Sequence, residues 1–361
     1  MCVIVTEMIY VHPKIRTSKI KGISMINVLI PFCRLLKRNE LAKYSSERLI
    51  IGKRMHRNEY ISNEWKLNIK GHINFDFVDV AINSDNKLFI DPCLIEMAGT
   101  EWAQKSMSKI SSFMNELVES YSNKDEEKKI ALLMHAREQN ATKFGYRNGF
   151  NGKGNTVDGL LDDFQPLEEL VKAIKSVNQL QDITVLLPGF AEDGLSDLLT
   201  NILHLELSEF TDNQMKKYGI ESNREVRFTY WNNDDLIWKT IIKPGYEVNG
   251  KEFLIVPKNI VRKKYLFSTG QYFSRVILER IRDEYTNADG KKIAKKDVVK
   301  AKRFSGDHWI YKETIRFTIE NDDALTEYHD KMIGYYVENG GAMTDEELDF
   351  TVYGECVKMT A

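Results

Sequence analysis

The four cysteines of this 361-residue chain, Cys2, Cys33, Cys93 and Cys356, form no CxxC pair. Spacing this wide argues against both a disulfide framework and a thiolate zinc site. The histidines make no HxxxH or HExxH spacing and no GxSxG elbow is present, which disfavours zinc proteases and elbow-type serine hydrolases. No apolar run approaches the roughly 20 residues a membrane span needs. Neither charge sign predominates: Lys plus Arg is 51 against 53 for Asp plus Glu, a net charge of −2. That balance excludes a uniformly basic surface and leaves local patches open. The expectation is a soluble, cytoplasmic globular protein with no membrane association. Its length suggests two domains at roughly 150 residues each.

The first 21 residues are basic and are followed by the apolar run Met25–Cys33, the outline of an export signal. Pro31 interrupts that run, Arg34 and Lys37 close it, and no small-x-small site follows, so an N-terminal strand or arm is expected instead. Met8 and Met25 leave the natural start open.

Further on, Phe75–Ile82 and Lys87–Ile90 flank the polar turn Ser84-Asp85-Asn86, a pattern that predicts a β-hairpin stopped at Asp91-Pro92. Met107, Ile110, Met114, Leu117 and Tyr121 step by three and four, one face of a helix. A Gly/Asn-rich loop spans 145–155, and Thr156 is placed to cap the helix after it, with a break at Pro166. Ile183–Leu187 reads as a short buried strand and Glu192–Leu205 as an amphipathic helix. Strands return over 226–242, around the turn 232–235, and again at 252–256; the last third is helical. Without regular βα alternation, the order favours an α+β class, with β-hairpins and small sheets packed against amphipathic helices. Three segments are expected: 1–70 as arm and strands, 71–220 as hairpin and helices with the glycine loop, and 221–361 as strands followed by helices with basic patches.

Several constellations bear on chemistry. Asp193, Asp197, Thr200, Asn201 and His204 fall on one side of the helix Glu192–Leu205, with leucines opposite. Asp193 and Asp197, one turn apart, repel each other, and oxygen-rich clusters suit Mg2+ or Mn2+. A solvated helix face with acids at its N-terminus explains the same pattern. Asp79, Asp91 and Glu96 add acids around the hairpin, where turn-making is the plainer role. The glycine loop fails as a Walker loop, since position 147 is Arg and position 154 is Gly. It retains the composition of an anion nest, with Arg147 and Lys153 adding charge; a mobile surface loop is the alternative. Basic clusters lie at Lys258, Arg262, Lys263 and Lys264 and at 291–303, including Lys295, Lys296 and Lys300. Tyr265, Phe267, Tyr272, Phe304 and Trp309 are interleaved or close by, as flexible nucleic acid would require; a solvated helix face accounts for the charges equally.

Glu252 and Lys258 bracket an apolar strand, an arrangement that resembles PD-(D/E)xK nucleases in following an earlier Asp with an acid and a lysine. Here five residues and Pro257 intervene where that pattern has one, which puts Lys258 in doubt as a catalytic lysine. The segments 187–202, 253–258 and 88–92 resemble uncharacterised bacterial proteins of defence and mobile-element neighbourhoods, a resemblance spanning about 75–285 that carries no named family and no catalytic residue. It implies nucleic-acid-directed chemistry. The leading expectation is a metal-dependent nuclease or phosphodiesterase active against phage or mobile elements. Asp91, Asp193 and Asp197 would bind Mg2+ or Mn2+, and Lys258 would stabilise transition-state charge. Arg147, Lys153, Arg262, Lys263, Lys264, Lys295, Lys296 and Lys300 would hold the strand. The alternatives are a non-catalytic nucleic-acid-binding module and a subunit that works with a protein partner or as a homo-oligomer.

Overall fold

Where the sequence steps by three and four, helices form, and polar side chains tie the stretches between them. A computed structural model describes residues 59–146, 156–187, 189–283, 290–301 and 306–355. The described residues belong to one compact unit that begins at Asn58. The expected N-terminal strands before residue 59, and Arg147 and Lys153 of the glycine loop, lie outside the described residues. The fold is α+β: many helices with small antiparallel two-stranded sheets. Among the described residues, no helix is long and apolar enough to cross a membrane.

The strand β1 (Phe89–Ile90) leads directly into α1 (Pro92–Ala98), and α2 (Glu101–Asn123) follows. The α2 helix starts where the Thr100 hydroxyl accepts from Ala103 N–H, 3.2 Å, and it buries Ile110, Phe113, Met114, Leu117 and Tyr121. α3 (Glu126–Leu133), α4 (Val157–Phe164) and α5 (Leu167–Ala173) complete this helical layer, with Thr156 capping α4 and the chain breaking near Pro166 as expected. α6 (Asp182–Leu186) replaces the strand expected over 183–187. A short apolar run does not by itself distinguish strand from buried helix. Here Asp182 decides: its carboxylate accepts from Asn178 and Gln179 N–H and meets His329 Nε2 at 2.7 Å.

α7 (Glu192–Ile202) and α8 (His204–Tyr218) are separate helices, because Leu203 adopts non-helical angles between them. β2 (Arg224–Asn232) and β3 (Ile237–Gly245) form the expected hairpin, in register from Arg224↔Gly245 to Asn232↔Ile237. β4 (Glu247–Val248) pairs with β5 (Lys251–Glu252). Beyond β5, Phe253–Val256 runs buried without a strand partner; Leu254 N–H bonds to Ala141 O and Ile255 N–H to the Thr211 hydroxyl. β6 (Val261–Arg262) pairs with β1.

That last pairing corrects the hairpin expected over 75–90. Tyr60 bridges Ala81 and Phe77 bridges Pro257, so the two halves find other partners. Asn86 supplies one reason: its side chain accepts from Ala81 N–H and donates to Ala81 O and Lys143 O, filling bonds a ladder would have made. Asp79 supplies the other. It is buried, bonded by Ser62 N–H and hydroxyl and by the Tyr353 hydroxyl, which fixes this stretch against α1-preceding and C-terminal chain rather than against itself.

Candidate functional site

The α7 helix buries Leu195, Leu198, Leu199 and Ile202 and leaves Asp193 and Asp197 half-buried on its other side. Glu192 and Asp193 sit in its first turn, where the helix dipole favours negative charge. Asp193 is held above the usual carboxylate range by burial and by the charges of Glu138, Asp85 and Glu192. Asp197 is pushed up to about 8, by burial first and then by Asp193. Neither acid has an ion-pair partner among the described residues. Gly145, at the start of the glycine loop, has φ +138, and a Cβ there would lie 3.1 Å from Asp193 Oδ1. The loop therefore departs directly beside the acids.

Asp91 does not join them. It is fully buried, accepting from Cys93 N–H at 3.0 Å as the N-cap of α1 and from the Tyr336 hydroxyl at 2.5 Å. Burial raises its carboxyl to about 6. Among the described residues, no group of three or more His, Cys, Asp or Glu side chains is placed to hold a metal ion. The expected Asp91–Asp193–Asp197 set is therefore not assembled: a strand-end acid serves a helix cap and a buried tyrosine. Lys258 is elsewhere too, donating to His72 O at 2.7 Å and Asp345 Oδ1 at 2.6 Å.

The basic residues divide. Arg262 donates to Gly341 O and lies 5.5 Å from the Tyr336 ring centre. Lys263 and Lys264 are exposed at a pocket shared with Asn339, Thr344 and Glu347. Lys295 is tied to Glu279 and Ser274 O, both at 2.7 Å, whereas Lys296 and Lys300 are exposed.

Two turns beyond Asp197, the structure brings together residues that no sequence motif joins. His204 is buried at the start of α8, not solvated as the continuous helix implied. Its ring stacks on Phe228, with centres 4.1 Å apart and planes within 7°. Its Nε2 lies 2.9 Å from Glu252 Oε1, and Gln139 Nε2 lies 3.5 Å from its Nδ1. Both ring nitrogens are thus engaged, Nε2 by the Glu252 carboxylate and Nδ1 by the Gln139 amide. Around this pair opens a pocket of about 270 Å³ whose rim carries His135, Arg137 and Arg227. Both arginines are exposed, and neither has a carboxylate partner among the described residues. Burial and Arg137 hold His135 below the ordinary imidazole value. The pocket adjoins the acids through Asn201, whose amide donates to Arg137 O at 2.7 Å and Asp197 O at 2.9 Å. Glu252 and His204 are 48 residues apart and His135 and Arg137 precede the glycine loop, so no local spacing announces them.

A family model covers residues 66–268, more than half of the chain. The chain belongs to the family described as Domain of unknown function (DUF8370). No curated protein and no solved structure matches it. The DUF8370 region contains the acids of α7 and the whole His204 pocket, and it ends before Lys295, Lys296 and Lys300.

Proposed function

We propose that this chain binds nucleic acid through its backbone phosphates, with the pocket around His204 holding one of them. The observation that carries the reading is the pair of exposed guanidinium groups, Arg137 and Arg227, on one small polar pocket, with no carboxylate partner among the described residues. Guanidinium forks suit phosphate oxygens bidentately. Glu252, the acid lining the pocket among the described residues, is engaged by His204. The Gln139 and Asn201 amides supply further polar atoms at the same wall. Exposed Lys263 and Lys264, with Lys296 and Lys300, would track the strand beyond the pocket.

The test is fluorescence anisotropy with labelled single-stranded RNA and DNA between 50 and 200 mM salt. Binding should weaken steeply with salt, and Arg137→Ala with Arg227→Ala should lower the logarithmic slope by about 2 and the affinity by about tenfold. A salt-independent response, or a double variant that binds like the parent, overturns the reading.

A second reading, metal-dependent phosphodiester cleavage, is favoured by the carboxyl of Asp197 at about 8. Mg2+ or Mn2+ beside Asp193 and Asp197 would relieve their repulsion and activate water next to the phosphate pocket. Such an activity would suit defence against phage or mobile elements in the cytoplasm, as the sequence resemblance implies. Cleavage that needs Mg2+ or Mn2+, stops with chelator and is lost in Asp197→Ala supports it; binding without cleavage under all these conditions leaves the binding role alone.

A further inference from the structure

The helix Asp345–Tyr353 lies outside the family region and is tied to it by a row of polar contacts. Among its residues Leu348, Asp349 and Val352 are buried, while Phe350 is 61% exposed. Asp345 accepts from Lys258 Nζ at 2.6 Å, the Tyr353 hydroxyl donates to Asp79 Oδ2 at 2.7 Å, and just beyond the helix Glu355 pairs with Lys70 at 2.7 Å. At the centre of the row is Asp349. Its Oδ1 accepts from the backbone N–H of His72 at 2.9 Å and lies 2.7 Å from His72 Nδ1.

His72 is fully buried, and a group that can only donate fixes its tautomer. Asp79 N–H donates to Nε2 at 3.1 Å, so Nε2 is the acceptor and Nδ1 carries the proton toward Asp349. A second proton has only Nε2 to go to, where Asp79 N–H already stands. An imidazolium accepts no hydrogen bond, so protonation in place breaks the Asp79 contact. Asp79 is also what Tyr353 is anchored to, and it accepts from Ser62 N–H and hydroxyl at 2.8 and 2.6 Å. With the helix gone, the ring faces water and takes the same proton without that loss.

The charges around the ring are divided. Asp349, Asp79 and Asp345 favour the imidazolium, whereas the Lys258 ammonium, donating to His72 O at 2.7 Å, is the cation beside it. Tyr353, its ring centre 5.2 Å from the imidazole, is kept protonated by burial and by the Asp79 charge. Burial outweighs the three carboxylates and holds His72 below the ordinary imidazole value of 6.5. The closed form therefore binds a proton less tightly than the released one. Its stability is complete above about pH 6.5 and falls as pH drops below that value.

We propose that His72 is an acid-sensitive latch for the helix Asp345–Tyr353, and that a proton at Nε2 releases the helix while the body of the fold stays closed. Release takes Asp345 and Glu355 away with the helix and bares Lys258 and Lys70 on the family region. The latch does not depend on the phosphate pocket.

The experiment follows amide hydrogen exchange in the full chain at pH 7.5 and 5.5, corrected for the intrinsic rate, with α2 as the internal control. Protection over 348–353 should fall by about tenfold at pH 5.5, the effect of about one unit between the closed and released imidazole, and α2 should keep its protection. Long-range nitrogen spectra of the histidines should show His72 with its proton on Nδ1 at pH 7.5, gaining the second at the midpoint of the exchange step. In His72→Gln the amide can donate to Asp349 and the carbonyl accept from Asp79 at every pH, so the step should vanish. Equal protection at the two pH values overturns the proposal, as does a loss shared by α2. A step that survives in a folded His72→Gln, or a proton on Nε2 at pH 7.5, overturns it too. Should His72→Gln fail to fold, the midpoints decide, and a ring that titrates apart from the exchange step ends the proposal.

Discussion

Asp91 and Asp197 are both acids whose carboxyls burial holds above the usual range, yet they sit in opposite circumstances. Asp91, at about 6, has each oxygen satisfied, one by Cys93 N–H and one by the Tyr336 hydroxyl. Asp197, at about 8, faces Asp193, Glu138 and Asp85, with Gln139 N–H as its compensation. The first acid is a structural part and the second is a strained one. Shifted carboxyls therefore do not by themselves locate chemistry. The satisfaction of their oxygens separates the two cases, because interior hydrogen bonds remove the reason to recruit a ligand, whereas mutual repulsion supplies one.

Removing the structural acid should have the largest effect. Asp91→Ala strips the N-cap of α1 and leaves the Tyr336 hydroxyl buried without an acceptor, for a loss of about 3 kcal/mol in urea unfolding. A loss below about 1 kcal/mol would mean that Asp91 is not structural in the sense argued. Next in size, Lys258→Ala should cost about 1.5 kcal/mol by freeing Asp345 and His72 O, while leaving nucleic-acid affinity unchanged. A selective loss of cleavage without loss of stability would return Lys258 to the catalytic role that its sequence position suggested.

The strained acid should behave with the opposite sign. A carboxyl whose folded value is raised binds its proton more tightly folded than unfolded, so its contribution to stability falls as pH rises from about 4 to about 8 and is constant above. Asp197→Asn keeps the acceptor for Gln139 and removes the charge. It should be indistinguishable from the parent near pH 4 and more stable by at least about 1 kcal/mol at pH 8.5, measured by thermal melts across that range. Millimolar Mg2+ should close this gap by stabilising only the parent, if the second reading of function holds. An asparagine variant less stable than the parent at pH 8.5 would erase the distinction between the two acids.

Much of this architecture is legible in the residues themselves. The i, i+3, i+4 stripe of α2, the Thr156 cap, the break at Pro166 and the β2–β3 turn all follow from local rules. What escapes is whatever depends on a distant partner. Tyr336 reaches Asp91 across 245 residues and Tyr353 reaches Asp79 across 274, so nothing nearby in sequence marks those acids as satisfied. Helical spacing puts His204 on a polar face, but Leu203 breaks the helix and the ring lies on Phe228 and Glu252. The pairing of Asp193 with Asp197 is local and readable; the pocket beside them, assembled from residues 134 to 252, is not.

The smallest expected effect concerns the basic cluster beyond the family region. Lys295 is already paired with Glu279, whereas Lys296 and Lys300 are exposed and have no ion-pair partner among the described residues. If one phosphate is gripped at Arg137 and Arg227 while the rest of the strand is held by diffuse attraction, Lys296→Glu with Lys300→Glu should weaken binding no more than about threefold at 150 mM salt, where exposed charges are largely screened. The same pair should matter more at 50 mM, since screening relaxes as the Debye length grows. A loss at 150 mM as large as that of the arginine double variant would move the principal contact from the His204 pocket to the C-terminal helices.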